Sequence, residues 1–187
     1  MVSLILGFCG RARHGKSQAT DAIVKYIHEY DLPTVAVYDI GDMVRRWCIA
    51  HGRLPEVRRA DMTADQLQIL INVGREQRDV DLNFWIDQMF QAIDAEEPDV
   101  AICPNIRYPN EVEMVKKHGG FLVRCTRYNL DGSVFISPDR PANDPSETCT
   151  EMILADYYLA TREGEVAWMD RQAIALYEYL WEKVNAN

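Results

Sequence analysis

A chain of 187 residues, 48% of them apolar, is long enough for one domain with a sizeable core and too short for two full ones. Its formal net charge of −9 argues against a protein that grips duplex DNA through many phosphates, although a local basic cleft stays open. No run of about 18 apolar residues occurs, which argues against a membrane-spanning helix, and the apolar N-terminus lacks a basic leader and reads as a buried strand instead of a signal peptide. Cys9, Cys48, Cys103, Cys125 and Cys149 are widely spaced with no C-x-x-C pair. That usage suits a reducing cytoplasm and argues against a structural zinc site.

Two periodicities alternate along the chain. "SLILGFC" is a continuous apolar run that stops at Gly10, as a central parallel strand would. Ala19, Ile23, Tyr26 and Ile27 then share one helical face between about 16 and 30. "TVAVYD" (34–39) reads as a second strand, and "DMVRRWCIAHG" as a helix closed by Gly52. In "TADQLQILINVGREQ", Thr63 followed by Gln66 is a capping-box pattern. "LNFWIDQMFQAI" (82–93) is another amphipathic helix, and "DVAICPN" (99–105) a third strand. A helix opens at Pro109 and closes at Gly119-Gly120, with Lys116, Lys117 and His118 in its last turn.

"FLVRCTR" and "DYYLAT" (156–161) supply the fourth and fifth strands. Residues 128–150, rich in Asp, Pro, Ser and Asn, read as a long mobile loop with little helix. The last helix carries Val166, Met169, Ala173, Leu176, Leu180 and Val184 on one stripe. Its aromatics Trp168, Tyr177, Tyr179 and Trp181 fit a homodimer contact as well as packing on the chain's own sheet. The alternation predicts an α/β fold in one domain, a five-stranded parallel sheet flanked by helices with ligand at the strands' C-terminal ends.

The chemistry concentrates in "GRARHGKS" (10–17), a full G-x-x-x-x-G-K-[ST] signature set between a buried strand and a helix. In such a P-loop, glycines let backbone N–H groups turn in around phosphates. Lysine adds a point charge, and the hydroxyl ligates Mg²⁺. The donor loop therefore runs over Gly10, Arg11, Ala12, Arg13, His14, Gly15, Lys16, Ser17 and Gln18, with ATP and Mg²⁺ as the cofactors it implies. Arg11, Arg13 and His14 inside the loop read most simply as solvated side chains. No N-K-x-D guanine signature is present. Arginines gather instead at element ends: Arg45 and Arg46, Arg75 and Arg78, Arg107, Arg127 and Arg140. Transfer between phosphates needs such a supply, because its catalysis is positioning and charge neutralisation. Arg46, Arg58, Arg59 and Arg171 read as surface residues, and one of Arg75 and Arg78, a turn apart, could spend its charge on Glu76 or a nearby Asp.

"LINVGREQRDVDLNFWID", "ICPNIRYPNEVEMVKKHGGFLVRCTR" and "DPSET…ADYYLAT", in this order after the P-loop, resemble the deoxynucleoside monophosphate kinases of bacteriophages. The shared pattern is a G-x-x-x-R segment before an aromatic helix, a strand ending in x-R-[FY]-P-N-E, a GG-strand-x-R and a late S-E pair. The resemblance implies the three-layer P-loop NTPase fold with a helical acceptor-binding insert at about 40–95 and a lid at about 128–150. It implies transfer of the γ-phosphoryl group of ATP to a deoxynucleoside 5′-monophosphate in the (host) cytoplasm. Lys16, Arg78, Arg107, Arg127 and Arg140 would then be catalytic, the last two from the lid. Asp39, Arg45, Arg75, Arg78, Phe84, Trp85 and Arg107 would bind the acceptor, with Ser17 and Asp39 at the metal. As a helical aromatic pair, Phe84 and Trp85 also fit a core role. Where the family pattern has an acid before x-R-[FY]-P-N-E, this chain has Asn105, which brings no charge to a cation. Two alternatives remain: a related phage kinase acting on 5-hydroxymethyluracil bases in DNA, which the charge argues against, and an ATP-binding switch without catalysis.

Overall fold

The computed structural model describes residues 2–30, 33–138 and 143–186, without the side chains of Pro145 and Ser146. The chain divides into two compact units, Met1–Val37 with Glu97–Asn187, and Tyr38–Glu96.

In the first unit the opening apolar run forms β1 (Leu4–Cys9), buried along its whole length. It is the central strand of a sheet completed by β2 (Val35–Val37), β3 (Val100–Cys103), β4 (Phe121–Tyr128) and β5 (Tyr157–Arg162). The order is β2-β3-β1-β4-β5, and every pairing is parallel. Both neighbours of β1 come later in the sequence, so the chain end of β1 sits where the strand order reverses, the place where open α/β sheets bind ligands.

Strand alternation assigns the two faces. Leu4, Leu6 and Phe8 join Val100, Ile102, Val123, Cys125 and Leu159 beneath α1 (Lys16–Glu29) and α7 (Val166–Asn185), which contribute Ala19, Ile23, Ile27, Met169, Ala173, Tyr177 and Leu180. Gly7 points to the opposite face, where a Cβ would lie 3.0 Å from Leu122, 3.1 Å from Ile106 and 3.4 Å from Val115 of α5 (Pro109–Lys117). Helices therefore cover both faces, and the α/β fold is a three-layer one around a parallel sheet.

Two expectations need correction. Val166 does not belong to the apolar stripe of α7, being 60% exposed, while Tyr177 is 1% exposed and fills the core in its place. Residues 128–150 are also not a continuous loop. Tyr128 bridges Val134 across a turn in which Ser133 O accepts from Asn129 N and Asn129 O from Gly132 N. A helix, α6 (Pro145–Met152), follows. Proline suits its first position, since that N–H has no helical partner, and the carbonyl of Asp144 accepts from Glu147 N and Thr148 N. At its far end Arg124 donates to the carbonyls of Thr150, Glu151 and Ile153.

The second unit is helical: α2 (Ile40–Ala50), a 3-10 turn (Arg59–Asp61), α3 (Ala64–Val80) and α4 (Phe84–Glu96). Asp39 caps α2 through Gly41 N and Asp42 N, and the Thr63–Gln66 capping box closes reciprocally at α3. Trp85 from α4, 2% exposed, donates its indole N–H to Gly74 O of α3 at 3.0 Å. Its ring meets Phe84 edge-on at 4.8 Å and Trp47 at 6.3 Å, and Trp47 in turn stacks on His51. Among the described residues no helix is long and apolar enough to cross a membrane.

Candidate functional site

The site grows from the end of β1. At Gly10 the backbone turns with φ +129°, and a Cβ there would lie 2.3 Å from the carbonyl oxygen of Cys125 in β4. No L side chain fits that approach. Arg13 takes the left-handed φ of 60°, and Gly15, at φ 86°, is the N-cap of α1. The loop thus closes against the first turn of a helix whose N-terminal N–H groups and dipole favour an anion.

Lys16 stands in the first turn of α1, only 6% exposed, and donates to the loop's own carbonyls, Gly10 O and Arg11 O, each at 2.8 Å. Burial pulls its ammonium down to about 8, and the Arg107 guanidinium adds to the fall. Cys125, Glu147 and Cys9 act against it. A lysine so placed gains its full charge when an anion arrives beside it.

Arg107 follows β3 and is fixed at both ends. Its backbone N–H donates to Glu111 Oε2 at 2.8 Å, which also accepts from Tyr108 N at 3.2 Å. The "RYPNE" sequence thus folds as a helix start, with Pro109 at the first position and Glu111 reaching back over it. The Arg107 guanidinium donates to Glu147 Oε1 at 3.2 Å. Glu147 Oε2 accepts from Ala12 N of the loop at 2.8 Å. A carboxylate is therefore already held by a loop N–H and an arginine, which shows that this loop's chemistry suits an anionic group. From the next turn of α6, Glu151 takes two hydrogen bonds from the Arg11 guanidinium, at 2.6 and 2.8 Å. Sequence reasoning gave Glu147 no role. The signal lay in the late S-E pair, where nothing local distinguishes a buried carboxylate from a solvated one.

His14 is not a solvated loop side chain. It is 3% exposed, and its Nε2 lies 2.8 Å from Phe135 O. Burial pushes the ring's pKa down, while the backbone carbonyls of Phe135 and Cys125 pull it the other way. Arg127 stacks over Phe135 at 4.3 Å and reaches Glu163 at 3.4 Å. Arg11 is also paired instead of solvated, whereas Arg13 is exposed. Ser17 is exposed at the start of α1, and Gln18 donates across to Val166 O and Asp170 Oδ1 of α7. Arg140 lies outside the described residues.

In the helical unit Arg78 donates to Gly74 O at 3.1 Å, the same carbonyl that Trp85 uses. Arg45 is held by Asp42 and by Val57 O. Arg75 is exposed, and Glu76 takes Arg53 as its partner at 3.3 Å. Trp85 is a core residue: its N–H is used internally and its ring is enclosed, leaving no face on which a base could stack. Phe84, beside it, is half-buried. Asp39 Oδ1 is taken up by Gly41 N at 2.6 Å, the work of a helix cap. Among the described residues no group of three or more His, Cys, Asp or Glu could hold a metal ion.

No protein-family model and no curated protein matches this chain. Among solved structures, the APS kinase CysC of Mycobacterium tuberculosis, a cysteine-to-alanine mutant, aligns at 18% identity with a TM-score of 0.42. The alignment covers 94% of this chain and 96% of that one. The P-loop architecture stands on the sheet order and the loop geometry themselves.

Proposed function

We propose that this chain transfers the γ-phosphoryl group of ATP to the phosphate of a deoxynucleoside 5′-monophosphate. The observation that carries the reading is the cationic centre at the loop, where Arg107 is tied through Glu147 to the Ala12 N–H and buried Lys16 donates to the neighbouring Gly10 and Arg11 carbonyls. Hydrolysis by water needs a positioned nucleophile. Transfer to a phosphate needs chiefly charge to offset two polyanions brought together.

In this reading the acceptor's anionic oxygen attacks the γ-phosphorus as the bond to the β,γ-bridging oxygen breaks. The electron pair leaves on ADP, and no proton need move. Lys16 and the loop N–H groups hold the donor phosphates, while Arg107 faces the group in transit. Arg78, with Arg45 and Arg75, is assigned to the acceptor, and Arg127 and Arg140 to closure over the donor. A magnesium ion held through Ser17 would neutralise charge on the phosphates.

The test is ATP consumption by purified protein against each deoxy- and ribonucleoside monophosphate and against DNA carrying 5-hydroxymethyluracil, with Lys16→Ala as control. Turnover on one or more free monophosphates, lost in the variant, is the expected result. Phosphate appearing only on the modified DNA overturns the acceptor assignment. No turnover with any acceptor overturns the reading as an enzyme.

A further inference from the structure

Helix α6 touches the phosphate loop at two places through carboxylates 135 and 140 residues away in sequence. They differ in character. Glu151 is 53% exposed at its side chain, so water screens its pair with Arg11, itself 12% exposed. The Glu147 side chain is 4% exposed and pairs with an Arg107 side chain that is itself 17% exposed. Its two oxygens are divided between different elements, one on the loop backbone and one on the guanidinium. The helix behind it is fastened to the sheet: Arg124, from β4, holds three carbonyls at its C-terminal end, and Thr150 Oγ1 donates to Glu147 O at 2.6 Å. A carboxylate on so anchored a helix sets the distance between its two partners.

We propose that Glu147 is a positioning residue, which fixes Arg107 against the Ala12 end of the loop and so builds the cationic centre with Lys16. Without it, a guanidinium and an ammonium buried together repel, and the guanidinium moves off toward solvent. Lys16 donates to Gly10 O and Arg11 O, next to the Ala12 N–H that Glu147 takes up. The inference rests on the kinase reading for its catalytic consequence, but not for its effect on the loop contact.

The experiment compares Glu147→Gln and Glu147→Asp with the unsubstituted protein, and uses Glu151→Gln as a control. The glutamine keeps size and acceptor oxygen but loses charge, while the aspartate keeps charge but is one carbon short. Two readouts are taken well below each variant's Tm: steady-state transfer, and the amide-exchange rate of Ala12, whose N–H Glu147 accepts from. Glu147→Gln is expected to lower kcat at least ~10-fold with KM for ATP within about 3-fold, because alignment in the transition state is lost more than ground-state binding. The Ala12 amide exchanges at least ~3-fold faster in this variant, since one acceptor oxygen is left to serve two donors. Glu147→Asp lowers kcat less than Glu147→Gln does, and Glu151→Gln stays within about twofold on kcat.

A Glu147→Gln protein with an unchanged Ala12 exchange rate, or with undiminished kcat, overturns the proposal. So does one that binds ADP tenfold more tightly with undiminished kcat, since the carboxylate would then be a competitor for the phosphate position. If the unsubstituted protein transfers phosphate to no acceptor, the functional reading fails, and the Ala12 exchange rate still decides the role of Glu147.

Discussion

Nucleotide binding to this loop should take up a proton at alkaline pH, through Lys16. Burial and Arg107 hold its ammonium near 8 instead of the usual 10.5. The folded protein therefore binds fewer protons than the unfolded chain between these two values. Its burial costs stability below pH 8, and the cost is relieved as pH rises toward 10.5. A polyphosphate placed against the loop restores a counter-charge and returns the group toward its ordinary value. With a free-state value of about 8 and a bound-state value of about 10.5 or above, ADP binding takes up about 0.1 proton at pH 7 and about 0.9 at pH 9. The same linkage weakens ADP binding about tenfold between pH 7 and pH 9, roughly 1.4 kcal/mol. Titration calorimetry in buffers of different ionisation enthalpy reads the proton count directly. Buffer-independent enthalpies at pH 9, or an equal proton uptake by Lys16→Met, would refute the reasoning.

Other outcomes follow from single contacts. Gly10→Ala forces a Cβ toward the Cys125 carbonyl at a φ that alanine rarely adopts, and should cost at least ~2 kcal/mol in urea unfolding and abolish ADP binding. Trp85→Phe removes the indole donor to Gly74 O and should cost about 1–2 kcal/mol while leaving the KM for the acceptor unchanged; a large rise in that KM would restore Trp85 to the acceptor site. Asp39→Asn keeps the cap of α2 but removes the charge, so stability should change by less than about 0.5 kcal/mol; a tenfold rise in the magnesium needed for turnover would instead place Asp39 at the metal. Arg124→Ala frees the last carbonyls of α6, and amide exchange in 145–152 should quicken while that of β1 is unchanged.

The sequence by itself determined the features whose causes are local. The apolar run ending in glycine had to be a central strand, because alternation was absent and a turn with positive φ follows. The Thr63–Gln66 box and the Pro109 start could be read from side chains within one helical turn of the groups they cap. Polar composition misled over 128–150, because a proline that opens a helix and a proline that belongs to a loop look alike until the next turn finds its anchor. That anchor, Arg124, lies more than twenty residues upstream of the carbonyls it holds. Which aromatic of α7 enters the core, whether Trp85 faces a ligand or a carbonyl, and whether His14 is wet or dry were decided by packing between elements distant in the chain. The joining of Ala12, Arg107 and Glu147 is the sharpest instance. A buried carboxylate is tolerated only where its partners are already in place, and those partners come from two other segments that only the folded sheet brings beside it.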